Sequence, residues 1–134
     1  IIEKRNPLSV GAKRAGWVGC NINISKIPEL GRIYLIKDSV IINKNQVQEK
    51  WQQTCFLKSQ TLEARGWLLD LMLCIEKIPD QIFTLAQVYS FEAYLQQMHP
   101  NNNHVKDKIR QQLQFLRDRG MIGFLGGGKY IKNI

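Results

Sequence analysis

The chain has 134 residues, 44% of them hydrophobic, so we expect a packed core rather than general disorder. No apolar run approaches the roughly 18 residues that a membrane-spanning helix requires, so we expect no membrane partner. The formal net charge of +8 lies at the two ends: +4 in residues 1–34, −1 in residues 35–98 and +5 in residues 99–134. Two basic ends suit an anionic polymer such as nucleic acid, although solubility alone can require a similar net charge.

The three cysteines are Cys20, Cys55 and Cys74, and none belongs to a Cys-x-x-Cys pair. This spacing argues against a zinc site and favours reduced thiols in a cytoplasmic protein. We therefore expect no metal and no cofactor in this chain. It begins at Ile1 rather than at methionine, and we expect it to be part of a longer protein.

Proline and glycine interrupt residues 1–30, which we predict to be irregular. The stretch RIYLIKDSVII predicts two short strands around Lys37-Asp38-Ser39. A short helix is expected in NKNQVQEKWQQ, with Asn43 as its N-terminal cap.

From Thr61 onwards the apolar residues recur with a helical period. LEARGWLLDLMLCIEKI predicts one helix, which Pro79 stops, and its Trp67 is predicted to lie in the core. FTLAQVYSFEAYLQQMHP predicts a second helix that Thr84 caps and that ends before Pro100.

A third helix is predicted from residue 102 or 103 to residue 119, and Gly120 ends it. Strands at residues 121–125 and 129–132 follow, joined by a turn of three glycines. The predicted fold class is α+β. Residues 59–134 form a C-terminal winged helix of three helices plus a β-hairpin wing, and residues 1–58 form a small irregular and β-hairpin segment before it.

On a helical wheel, the third helix has an apolar stripe along Val105, Ile109 and Leu113, and polar side chains opposite it. Asparagine, glutamine and arginine can each make paired hydrogen bonds to a base edge, and flanking lysines suit phosphates. A solvated amphipathic helix would have the same pattern, but this helix has no glutamate and leads into a basic hairpin. The predicted base-reading residues are Asn102, Asn103, His104, Asp107, Arg110 and Gln111. The predicted phosphate contacts are Lys106, Lys108, Lys129, Tyr130 and Lys132.

Two long segments, KRAGWVGCNI and NNHVKDKIRQQLQFLRD, resemble the C-terminal half of the DpnI-like adenine-methylation-dependent restriction endonucleases. The resemblance covers nearly the whole chain. It implies that a nuclease domain precedes a winged helix, and that residues 1–58 correspond to the end of the nuclease domain and a linker. It also implies binding to GATC, or a similar site, with N6-methylated adenines.

Trp17 is the residue to which this resemblance gives a specific role, because the family's tryptophan at this motif position lies against the methyl groups of the bound adenines. An indole face supplies apolar contact and excludes water, as a methyl group requires. Without the resemblance, Trp17 would be interpreted as a residue that fills a crevice between segments. Lys13 and Arg14 precede it and suit phosphate contacts.

The nuclease centre of the family needs an aspartate and a Glu-x-Lys pair that hold a divalent metal, Mg²⁺ in the parent enzyme. This sequence contains no Glu-x-Lys. We therefore predict no catalytic residues here, and a monomeric target-recognition part whose partner is double-stranded DNA with methylated adenine. A winged-helix transcriptional regulator without methyl preference is the alternative. A protein-binding module is a third hypothesis, which the charge and the polar helix disfavour.

Overall fold

The computed structural model describes residues 2–133, and within them lie seven short strands and five α-helices. No helix in this described part is long and apolar enough to span a membrane. In chain order the elements are β1 (Ile2–Lys4), β2 (Cys20–Ile22), β3 (Ile36–Lys37), β4 (Val40–Ile41), α1 (Lys44–Thr54), α2 (Leu62–Lys77), β5 (Ile82–Thr84), α3 (Leu85–Tyr89), α4 (Glu92–Met98), α5 (Val105–Asp118), β6 (Ile122–Gly126) and β7 (Lys129–Lys132).

β1 and β2 form an antiparallel pair that encloses a long loop. Ile2 pairs with Ile22, and the N–H of Arg5 continues the ladder by donating to the carbonyl of Gly19 at 2.9 Å. The prediction that residues 1–30 are irregular was therefore wrong for these two strands. They are three residues each, too short for an alternating pattern, and the pairing joins segments far apart in the sequence.

The next two elements confirm their predictions. β3 and β4 form a hairpin whose turn residues Asp38 and Ser39 have positive φ angles of 50° and 66°. Both values are those of a primed hairpin turn, which aspartate tolerates better than most residues. α1 begins after Asn43, whose side chain accepts a hydrogen bond from the N–H of Asn45 at 2.8 Å.

The core lies between α2, α4, α5 and the C-terminal sheet. Trp67 is buried, as predicted, and burial raises the pKa of the Cys74 thiol to about 11, so that this thiol stays protonated and unreactive. The buried apolar residues are Leu30, Trp67, Leu68, Leu71, Met72, Cys74, Ile75, Ile78, Phe83, Val88, Leu95, Val105, Ile109, Leu113, Leu116, Met121 and Ile122.

The predicted second helix is two short helices, α3 and α4, preceded by a strand that the sequence did not indicate. Thr84 does cap α3, in a capping box with Gln87. The helix is interrupted between α3 and α4 because the Ser90 hydroxyl donates to the carbonyl of Gln87 at 2.7 Å. Such local side-chain bonding competes with a continuing helix. The strand, β5, forms because Phe83 pairs with Tyr130 of β7.

The C-terminal sheet has the strand order β5-β7-β6, and all its pairs are antiparallel. Phe83 stacks on Tyr130 with ring centroids 5.4 Å apart, which fixes the wing to the core. Gly126 belongs to β6, so the turn consists of Gly127 and Gly128, with φ angles of 56° and 73°. The α+β class and the winged helix are thus confirmed, with a two-residue turn instead of the predicted three.

Residues before α2 also pack against the winged helix. The N–H of Glu29 donates to Glu76 Oε1 at 2.8 Å, and Leu30 belongs to the same core cluster. The Arg119 guanidinium lies 4.3 Å from the ring centroids of both Phe56 and Phe115. The predicted domain boundary after residue 58 stays a prediction.

Candidate nucleic-acid interface

The polar turn before α5, which we name the asparagine turn (residues 101–104), opens onto a cleft. α5 begins at Val105, so Asn103 and His104 precede the helix, and their predicted place on its wheel was wrong. The reason is local: Asn102 Oδ1 accepts a hydrogen bond from the N–H of His104 at 2.8 Å and holds the backbone in a turn. The cleft is shallow and open to solvent, and it is lined by Asn101, Asn102, Asn103, His104, Asp107, Lys108 and Gln111.

α5 divides into two sides as predicted. Val105, Ile109 and Leu113 are buried, while Asp107 and Gln111 are exposed. Exposed carboxylate and amide groups on a helix whose other side is fixed in the core can meet base edges without disturbing the fold. Together with the asparagine turn they form one continuous polar surface, which we call the α5 surface.

Arg110 is held at the side of this surface. Its Nε donates a hydrogen bond to the Tyr89 hydroxyl, and its guanidinium lies 5.8 Å from the centroid of the tyrosine ring. The terminal nitrogens of Arg110 keep their donors for a guanine or a phosphate. Tyr89 is therefore a functional candidate that the sequence reasoning missed, because it had the spacing of a core residue.

The predicted phosphate contacts on α5 lie beside the α5 surface. Lys106 is exposed and pairs with Glu92 at 3.2 Å, an ion pair that solvent screens and that a phosphate can replace. Lys108 is half-buried and lines the cleft. These two lysines keep their predicted role as proposals.

The predicted wing residues have different surroundings. Lys129 is exposed beside the turn of the wing, where it pairs with Gly126. Tyr130 is half-buried between Phe83 and Phe124. Lys132 lies at the other end of β7, and its ammonium group donates to the carbonyl of Ile78. Lys129 is thus the wing lysine with its charge most accessible to a phosphate.

Trp17, Lys13 and Arg14 lie in the loop between β1 and β2, and all three are exposed. The indole lies over Gly19: a Cβ atom at that glycine would come within 2.9 Å of Trp17 Cζ3. The backbone of Trp17 is fixed as well, because its carbonyl accepts from the N–H of Leu8 at 2.9 Å. The indole is therefore a supported apolar face that remains 55% exposed.

The resemblance implies Mg²⁺ in the parent enzyme, which requires a cluster of metal-binding side chains. Within residues 2–133, no three histidine, cysteine, aspartate or glutamate side chains come together as a metal site requires. Carboxylate oxygens are the protein ligands that Mg²⁺ prefers, and here they are scattered. These residues do not fit the metal.

A helix pair followed by an exposed polar helix and a two-stranded wing defines a winged helix-turn-helix domain, a class of DNA-binding module. Residues 63–132 match the family model described as the Dam-replacing HTH domain, and residues 1–60 match the model of the Dam-replacing family, named for DpnI. The chain belongs to the DpnI-like Dam-replacing family. Its winged helix is a DNA-binding domain, and the family is linked to restriction endonucleases.

Replacing Lys129 with alanine is expected to weaken binding to every duplex alike. One lost phosphate contact lowers the slope of log K against log salt by about one unit. The measurement is a salt titration with two unrelated duplexes. Lys44→Ala, which removes an exposed lysine of α1, is the control and should keep the parent's slope. An unchanged slope for Lys129→Ala would remove the wing from the phosphate contacts.

Proposed function

We propose that this chain is the target-recognition part of a modification-dependent restriction endonuclease. It binds double-stranded DNA with N6-methyladenine on both strands of GATC or a similar site. The observation that carries the proposal is the α5 surface. Its hydrogen-bonding side chains lie at and near the N-terminal end of a helix whose opposite side is fixed in the core. Membership of the Dam-replacing family supports it.

The base contacts follow from the chemistry of the side chains on this surface. Asn103 and Gln111 are both exposed, and an amide N–H can donate to adenine N7 or thymine O4, the acceptors that N6-methylation leaves in the major groove. Asp107 can accept from the cytosine amine, and Arg110 can donate to guanine O6 and N7. Asn102 and His104, which lie in the asparagine turn, are the remaining proposed base contacts. A GATC site presents all of these groups in the major groove.

The methyl preference is assigned to Trp17. N6-methylation leaves the adenine one N–H and adds an apolar group, which an exposed, supported indole can cover. Burying one methyl contributes about 0.8 kcal/mol, so the two methyls of a palindrome give roughly a tenfold preference. Lys13 and Arg14 in the same loop are proposed to hold the phosphates beside it.

Cleavage is assigned to a nuclease domain of the parent protein, with Mg²⁺ as its metal. The residues described here lack the carboxylate cluster that metal-assisted phosphodiester hydrolysis uses. We therefore propose that this chain does not cut DNA. We also propose that it binds DNA as a monomer and that it acts in the cytoplasm.

The experiment is a titration of the chain with matched methylated and unmethylated GATC duplexes at one salt concentration, followed by incubation with Mg²⁺. We expect tighter binding to the methylated duplex and no nicks in either. Nicking that depends on Mg²⁺ would contradict the assignment of cleavage to another domain.

A further inference from the structure

The asparagine turn is held by a side chain from the preceding helix. Gln96, half-buried in α4, donates from Nε2 to the carbonyl oxygen of Asn102 at 2.9 Å. The same nitrogen lies 3.5 Å from the carbonyl oxygens of His99 and Pro100. One amide nitrogen therefore contacts three carbonyl groups of the segment that leads to α5, and its shortest contact is with Asn102 in the asparagine turn.

His99, which ends α4 just before the asparagine turn, is fixed by contacts with α2. His99 Nε2 lies 2.9 Å from Asp70 Oδ2, and both side chains are largely buried. The imidazole also stacks on the buried ring of Trp67, with centroids 4.0 Å apart and planes 16° from parallel. Gly66 lies beside the ring, because a Cβ atom there would be 3.7 Å from His99 Cε1. The ring is thus held on one face by Trp67 and at one nitrogen by Asp70.

A series of hydrogen bonds connects His99 to the first turn of α5. The N–H of Asn102 donates to the carbonyl of His99 at 3.0 Å, and Asn102 Oδ1 accepts from the N–H of His104 at 2.8 Å. The carbonyl of His104 then accepts from the N–H of Lys108 at 3.0 Å, in the first turn of α5. An unbroken series of contacts joins α2 and α4 to the residues proposed to read bases.

We propose that Gln96, and Asp70 acting through His99, are positioning residues for base recognition: they hold the asparagine turn in the geometry that the base contacts require. The proposal rests on the base-reading role of the α5 surface proposed above. A paired hydrogen bond to a base edge needs donor and acceptor placed together, so displacement of the turn removes discrimination while the lysines continue to bind phosphates.

The test compares Gln96→Leu with Gln97→Leu, a neighbour on α4 that is exposed. The measured quantity is the ratio of the Kd for a scrambled duplex to the Kd for a fully N6-methylated GATC duplex at one salt concentration. Gln96→Leu should lower this ratio by about fivefold, the lower end for one lost paired base contact, and should keep the parent's salt slope. Gln97→Leu should keep the parent's ratio.

Two substitutions of Asp70 provide a second test of the positioning role, one disruptive and one conservative. Asp70→Leu should lower the ratio as Gln96→Leu does, whereas Asp70→Asn keeps an acceptor oxygen for His99 and should restore it. Equal weakening on both duplexes together with a lower Tm would show a merely structural role and overturn the proposal.

Gln111→Ala separates the two proposals, because Gln111 is placed at the bases directly. If Gln111→Ala lowers the ratio and Gln96→Leu does not, the positioning role is wrong while base reading by the α5 surface stands. If the parent chain itself binds both duplexes equally, base reading fails and the positioning role fails with it.

Discussion

Replacing Phe83 with alanine is expected to lower the free energy of unfolding by about 3–5 kcal/mol, the cost of truncating a fully buried aromatic side chain. The ring is 0% exposed and stacks on Tyr130, so it joins the wing to the core. Loss of the ring leaves a cavity where β5 meets the hydrophobic core, and the winged helix around it loosens. Chemical denaturation measures the effect.

Ile82 provides the control for this prediction. It is the neighbouring residue on β5, but its side chain is 49% exposed, so Ile82→Ala should cost much less than Phe83→Ala. Phe83→Leu, which retains most of the apolar volume, should fall between them. If Phe83→Ala were no more destabilising than Ile82→Ala, Phe83 would not join the wing to the core.

Replacing Trp17 with alanine is expected to remove the roughly tenfold preference for methylated duplex, because the apolar contact with two methyl groups is lost. Affinity for unmethylated DNA should stay close to the parent's, since the indole carries no charge. The experiment measures the Kd for methylated and unmethylated duplexes of the same sequence. Gly19→Ala should lower the preference by less than Trp17→Ala does, because a Cβ atom 2.9 Å from Trp17 Cζ3 requires the indole to shift but does not remove it.

Trp51 is the matched control for Trp17. It is 49% exposed on α1, and the Lys58 ammonium lies 4.5 Å from its ring centroid. Trp51→Ala should leave the methyl preference unchanged. A Trp17→Ala variant that keeps the parent's preference would show that the methyl groups are recognised elsewhere, and the α5 surface would then be the place to look for them.

The sequence was informative where local rules decide the structure. The apolar stripe of Val105, Ile109 and Leu113 predicted the buried side of α5, and Gly120, with a φ angle of 69°, ends that helix as expected. The glycines after β6 predicted the wing, because a two-residue hairpin turn with both φ angles positive suits glycine.

The sequence was least informative where distant segments meet. β5 consists of three residues and forms because β7, far along the chain, pairs with it. The break between α3 and α4 depends on a side-chain bond of Ser90, which apolar periodicity does not indicate. Both features are tertiary or side-chain effects that compete with helix propensity.

The same contrast holds for the candidate site. Asp107 and Gln111 were predicted from the helical wheel alone, and the structure shows both exposed on α5. Tyr89 and Gln96 were missed, because their roles depend on which residues lie opposite them in the folded chain. Trp17 was singled out by the family resemblance, since its place in a loop gives no periodic signal.

The most direct test of the central claim is the binding of the parent chain to three GATC duplexes that differ only in adenine methylation: none, one strand, or both strands. All three are titrated at one salt concentration, because phosphate contacts make affinity depend strongly on salt. We predict the tightest binding to the fully methylated duplex, roughly tenfold tighter than to the unmethylated one, with the hemimethylated duplex between them. Equal affinity for all three would contradict methyl-directed recognition and would favour a winged-helix regulator without methyl preference.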